Sequence, residues 1–146
     1  MENRLEKWKK YVSFGWTLTG CDFAEPRAST NAERIKAMRE LHEAGFKTFV
    51  SAEPIIDFKN TFDMIDKAWD YCNLFKIGLL SGKKCDKSEV NRFISRLTSY
   101  RAKRAIPTCH IAKIYLKDGL LEQSDYTREE LPRNFVCKNF NIWENE

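Results

Sequence analysis

"KTFVSAEPIID" (residues 47–57) reads as a strand that runs into chemistry. Thr48, Phe49 and Val50 are strand formers, and Ser51 and Glu53 then place a hydroxyl and a carboxylate at the exit. Pro54 cannot donate to a ladder, so it marks where the strand stops. An earlier stretch, "YVSFGWTLTG" (11–20), has the same build: aromatic and β-branched residues, then Thr17, Thr19 and Gly20. Side chains alternate along a strand, so Thr17 and Thr19 share one face, as do Ser51 and Glu53.

The segments between these strands are helical. In residues 31–45, Ile35, Met38, Leu41 and Ala44, with Ala37, form an apolar stripe. Thr30 or Asn31 can cap this helix, Glu33 suits its first turn, and Gly45 ends it. The unit then repeats. "NTFDMIDKAWDYC" (60–72) has helical spacing, and "LFKIGLL" (74–80) is a short apolar strand of the kind buried on both faces. "SGKKCDKS" (81–88) is a basic loop, followed by a predicted helix over about 88–103 with Val90, Phe93, Ile94 and Leu97 inward. Pro107 and the alternation in "IAKIYLK" mark a fourth strand at about 111–117. A helix over residues 2–10 precedes the first strand. Thr127 can cap a short helix near 127–131, and "NFVCKNFNIWENE" (134–146) is an edge strand or a packed tail.

The order is therefore βαβαβαβ after an initial helix. It implies an α/β fold with a parallel sheet of βα units and right-handed crossovers. Four such strands make a small open sheet, half of an eight-stranded barrel, or the later part of a six-stranded partial barrel. In each case ligands are expected beyond the carboxyl ends of the strands. There the sequence places Thr17, Thr19, Ser51, Glu53 and Lys76, followed by Ser81, Gly82, Lys83 and Lys84, and by Lys117 and Asp118. A rim of hydroxyls, a carboxylate and lysines suits a polar ligand bearing both an ammonium and a carboxylate. Glu53 alternatively pairs with Lys76 or Lys117, since a buried carboxylate is tolerable when paired. Glu25 is expected to pair with Arg34 and pin the loop over the helix start, Asp57 to be a loop or cap residue, and His42 to be plain surface.

Composition narrows the classes. The 146 residues fit a single domain (1–146), with a core over 12–117 and an extension over 118–146. Hydrophobic residues at 42% and charged residues at 32% suit a globular chain rather than a disordered one. A net charge of +4 is too small to identify nucleic acid as a partner without clustering. No apolar run approaches the ~20 residues of a membrane helix, and "MENRLEKWKK" lacks a signal-peptide core, so no membrane is expected and the location expected is cytoplasmic. The five cysteines are scattered, and no C-x-x-C is present. Reduced, mostly buried thiols are expected, and no metal site. Cys109 and His110 are adjacent and would point opposite ways in a strand, which argues against a nucleophile pair. No G-x-S-x-G, P-loop or dinucleotide fingerprint occurs, so no catalytic residue is assigned.

"FGWTLTGCDFAEPRASTNAERIKAMRELHEAGFKTFVSAEPIIDFKNTFDMI" (14–65) with "LFKIGLLSGKK" (74–84) resembles the later half of radical AdoMet (radical SAM) proteins. The resemblance is to the group related to spore photoproduct lyase. It rests on the "EPRA" loop, the "ERIKAMRELHEAG" helix and the "SAEPII" strand, with "IYLKDGLL" (114–121) as a weaker echo. It implies the C-terminal half of a partial (β/α)6 TIM-like barrel. It also implies S-adenosylmethionine as cofactor, with Thr17, Thr19, Ser51 and Glu53 facing AdoMet or substrate and Lys76 a further member. In the full-length family a [4Fe–4S] cluster held by C-x-x-x-C-x-x-C cleaves AdoMet reductively to a 5′-deoxyadenosyl radical. This sequence has no such run, so the cluster is not expected on this chain. The chain is then expected to be a C-terminal portion that is not catalytically competent alone and that self-associates or docks to a separate N-terminal barrel half. The rival reading is a stand-alone α/β binding or interaction module with a nucleic-acid-facing loop at Lys83, Lys84 and Lys87.

Overall fold

The computed structural model describes residues 4–103 and 110–144, residues 101–103 by their backbone alone. Four parallel strands, β1 (Ser13–Thr17), β2 (Lys47–Ala52), β3 (Leu74–Ile77) and β4 (Lys113–Leu116), form one sheet in the order β1-β2-β3-β4. The helices are α1 (Arg4–Trp8), α2 (Asn31–Glu43), α3 (Phe58–Ala68), α4 (Lys87–Lys103) and the short α5 (Asp118–Leu121). The α/β class and the parallel sheet of βα units are as read from the sequence. β1, β3 and β4 are shorter than the stretches read as strands, and Thr127 caps only a 3-10 turn, Arg128–Glu130.

Local chemistry explains the helix boundaries. The Thr30 hydroxyl accepts from the Glu33 N–H while the Glu33 carboxylate accepts from the Thr30 N–H, a complete capping box. Asp57 accepts from the Asn60 N–H and starts α3. Gly45, at φ +94°, ends α2 as the sequence suggests. The stripe on α2 differs from expectation. Its buried positions are Asn31, Arg34 and Met38, with Ile35 only partly buried and Ala44 exposed. The first two turns of α2 lie against strand-end carbonyls and loop amides, so polar side chains occupy the inward positions there.

The register sorts the sheet into two faces. Val50, Phe75 and Ile114 align across three strands, as do Ala52, Ile77 and Leu116, and all six are essentially without solvent exposure. They join one core with Met38 of α2, Ile65 and Ala68 of α3, and Phe93, Ile94 and Leu97 of α4. All three long helices therefore cover the same face. Trp69 stacks on Phe75, with ring centroids 5.9 Å apart, and meets Tyr100 edge-on at 4.7 Å. Of the sheet's two edges, the β4 edge is partly closed by the C-terminal segment. The Ile114 N–H donates to Asn134 O and the Val136 N–H to Ile114 O. Residues 134–136 are thus a packed tail with a single bridge. Among the described residues no strand pairs with the outer edge of β1. No described helix is long and apolar enough to cross a membrane.

Replacing Trp69 with Ala removes a buried ring that joins sheet, α3 and α4. The expected loss is about 3–5 kcal/mol, read as a lower urea midpoint at unchanged slope.

Candidate functional site

The opposite face of the sheet carries the rim chemistry. The register aligns Thr17 with Ser51, Ser51 with Lys76, and Lys76 with Tyr115, giving one row of two hydroxyls, an ammonium and a phenol. Thr17 is exposed, and Ser51 and Lys76 are half-buried. Below that row, Gly15 pairs with Phe49, and a Cβ on Gly15 would overlap the Phe49 ring. The outer end of the ring occupies the space that side chain would take. The Lys76 Nζ sits 5.0 Å from that ring's centroid, a cation–π contact that holds the ammonium on this face.

A further row lies just past the strand ends. Continuing the alternation, Glu53, Gly78 and Lys117 follow Ser51, Lys76 and Tyr115. Glu53 forms an ion pair with Lys117 rather than with Lys76. The reason is Gly78, which stands between them without a side chain. A Cβ there would lie 2.9 Å from Lys117 Cδ and 3.4 Å from Glu53 Oε1. β2 ends at Ala52, the Glu53–Pro54 peptide is cis, and past it the Ile55 N–H donates to Gly78 O at 2.9 Å.

Of the five sequence-predicted residues, Thr17, Ser51, Glu53 and Lys76 share this face. Thr19 stands apart. β1 ends at Thr17, and Thr19 is buried, with its N–H donating to Asn31 Oδ1 and its hydroxyl accepting from the Cys21 N–H. Its hydroxyl therefore shapes the loop after β1. That loop is held by α2. Asn31 Oδ1 also accepts from the Gly20 N–H, and Asp22 accepts from the Asn31 N–H, which holds the Asp22 carboxyl below its usual range. The Arg34 guanidinium donates to Thr17 O at 2.7 Å and to Glu25 at 3.0 Å, the expected Glu25–Arg34 pair with an added strand-end contact.

Sequence reading missed two groups. Tyr115 completes the row and is covered by the Arg128 guanidinium, 5.3 Å from its ring. Its alternation with Lys113 and Lys117 was the available signal. His42, expected at the surface, is half-buried and meets His110 edge-on at 5.4 Å, with its Nδ1 buried and unpartnered among the described residues. His110 Nε2 lies 2.7 Å from Cys72 O. The Cys109–His110 question lies partly outside the described residues, since Cys109 is not among them.

Metal chemistry finds no donor set here: no group of three or more His, Cys, Asp or Glu among the described residues could hold an ion. Cys21 and Cys72 are buried, and burial pushes the Cys72 thiol far above its usual range. Cys85 and Cys137 belong to separate loops. No protein-family model, curated protein or solved structure matches the chain.

Two measurements probe this geometry. Gly78→Ala should push Lys117 off Glu53. A Glu53/Lys117 double-mutant cycle should give a coupling of about 0.2–1 kcal/mol in the parent chain and none in the alanine variant. The second concerns His42. Burial first, then His110 and Lys47, push its imidazole below the ordinary histidine value, against smaller opposing effects of Glu43 and Asn73. Its folded pKa lies below its unfolded one, so the unfolded chain binds the proton more readily. The stabilisation from neutral His42 is full above pH about 6.5 and is lost as pH falls through the folded value. The urea midpoint should drop between pH 7.5 and 5.5, about the histidine range, and drop less in His42→Gln.

Proposed function

We propose that this chain is the later portion of a radical AdoMet-type barrel and contributes the AdoMet- and substrate-facing strand ends. One observation supports the reading above the others. The sheet runs in sequential order with all long helices on one face, and the other face collects Thr17, Ser51, Lys76, Glu53 and Lys117 at the strands' carboxyl ends. Sequential order with right-handed crossovers is how a barrel wall is wound, whereas a doubly wound sheet reverses order and covers both faces. A barrel turns its uncovered face inward and binds ligands at the carboxyl ends of its strands, where these side chains gather.

The donor set suits AdoMet. Glu53 can accept from an ammonium, and Lys76, Lys117 and the Ser51 hydroxyl can pair with a carboxylate. When bound in such proteins, AdoMet supplies a radical after reductive cleavage by an iron–sulfur cluster. The described cysteines do not fit that cluster: two are buried, the others lie on separate loops, and the sequence holds no C-x-x-x-C-x-x-C run. The part assigned to these residues is to bind and orient AdoMet. Closure of the face and the cluster ligands would come from further barrel strands, and the unpaired β1 edge is where those strands would add.

Isothermal titration of AdoMet into the chain should release heat. Glu53→Gln should weaken binding at least about tenfold, the ~1.4 kcal/mol lower end of a charged hydrogen bond's worth. Absence of heat with the parent chain overturns the proposal.

A further inference from the structure

The loop after β3 and the short α5 enclose a cleft of about 460 Å3. That lies within the roughly 300–1,000 Å3 of small-molecule sites. Ser81, Gly82, Lys83 and Lys84 form one side, and Glu122 and Gln123 the other. The loop is built before any ligand arrives. The Gln123 amide holds its later part on either side of Lys84: Nε2 donates to Lys83 O at 2.8 Å, and Oε1 accepts from the Cys85 N–H at 2.8 Å. The Lys83 N–H closes the turn onto Leu80 O at 3.0 Å. Gly82 takes φ +79°, with nothing near where a Cβ would be, so glycine is required there by the backbone and leaves the wall open.

The charges are arranged unequally. Lys87 further along is tied to Asp125, whose carboxyl it lowers, whereas Lys83 and Lys84 are exposed and no described group pairs with either ammonium. Two uncommitted lysines on a clamped glycine turn, beside a hydroxyl, form a concave cationic surface. Lysine meets phosphate as a point charge, and a loop already ordered loses little freedom on binding. We infer that this cleft binds a small phosphate-bearing anion, with Lys83 and Lys84 supplying the charge, Gln123 positioning the loop, and Glu122 limiting affinity from the opposite wall. The site is separate from the AdoMet reading, because neither Ser51 nor Glu53 lines it.

The test is titration of inorganic pyrophosphate into the full chain at low and at physiological salt. Binding should be submillimolar at low salt and weaken with salt. Lys83→Ala/Lys84→Ala should weaken it at least about tenfold, and Glu122→Gln should tighten it about two- to fivefold. Gln123→Ala should weaken binding while the circular dichroism and urea midpoint of the fold stay unchanged. The opposed signs of the lysine and Glu122 variants separate a charge effect from a general loss of structure. No binding by the parent chain at about 10 mM pyrophosphate, a Kd too weak for any specific site, overturns the inference. So does a double variant that binds as tightly as its parent. A single-stranded oligonucleotide that binds through the same lysines but is not displaced by pyrophosphate also overturns it, and assigns the loop to nucleic acid. The variants leave Glu53 intact, so failure here does not touch the AdoMet titration.

Discussion

The period of two along a strand, imposed on a parallel sheet covered by helices on one side, governs the rest of this structure. Once Val50, Ala52, Phe75, Ile77, Ile114 and Leu116 are committed to the helix-covered core, every intervening residue must face the other way. Ser51 and Lys76 are therefore on the uncovered face as a consequence of where Val50 and Phe75 sit. A one-residue slip in register would bury the ammonium of Lys76 against three helices, so packing energy holds the polar row in place.

A polar seam on α2 ties the loops to this frame. Buried Asn31 and Arg34 take positions where an amphipathic helix would ordinarily carry aliphatic side chains. They face groups that have left the sheet ladder: the N–H groups of Thr19 and Gly20 and the carbonyl of Thr17. Unmet, each such buried group would cost about 1–3 kcal/mol, so a side-chain partner there stabilises the turn more than a methyl would. The same contacts set where the loop after β1 leaves the rim, and so leave Thr17 exposed while Thr19 is drawn under.

The strands, the long helices and the ends of α2 were legible because their signals are local: alternation, a capping box, a glycine at the helix terminus. The Glu25–Arg34 pair was legible for the same reason, since loop and helix start are near in sequence. Two features were not. Whether Glu53 would take Lys76 or Lys117 depends on Gly78, whose missing side chain matters only once three strands are in register. His42 looked like surface because helical periodicity reports which face points inward, not that a distant residue, His110, comes to lie against an outward one.

The rim is held by interactions each weak enough to be exchanged. The Glu53–Lys117 pair is partly exposed, and pairs of that kind are worth about 0–1 kcal/mol. The Lys76 contact with the Phe49 ring belongs to the same range, about 0.5–1 kcal/mol at an exposed site. A zwitterionic ligand that places an ammonium at Glu53 and a carboxylate between the lysines would replace one weak pair with two charge-assisted contacts. Lys117 loses little on release, since Gly78 leaves it room to swing. In its absence, the ion pair keeps the Glu53 carboxylate from standing unpaired beside the sheet. The glycine that lets the pair form is also what lets it open.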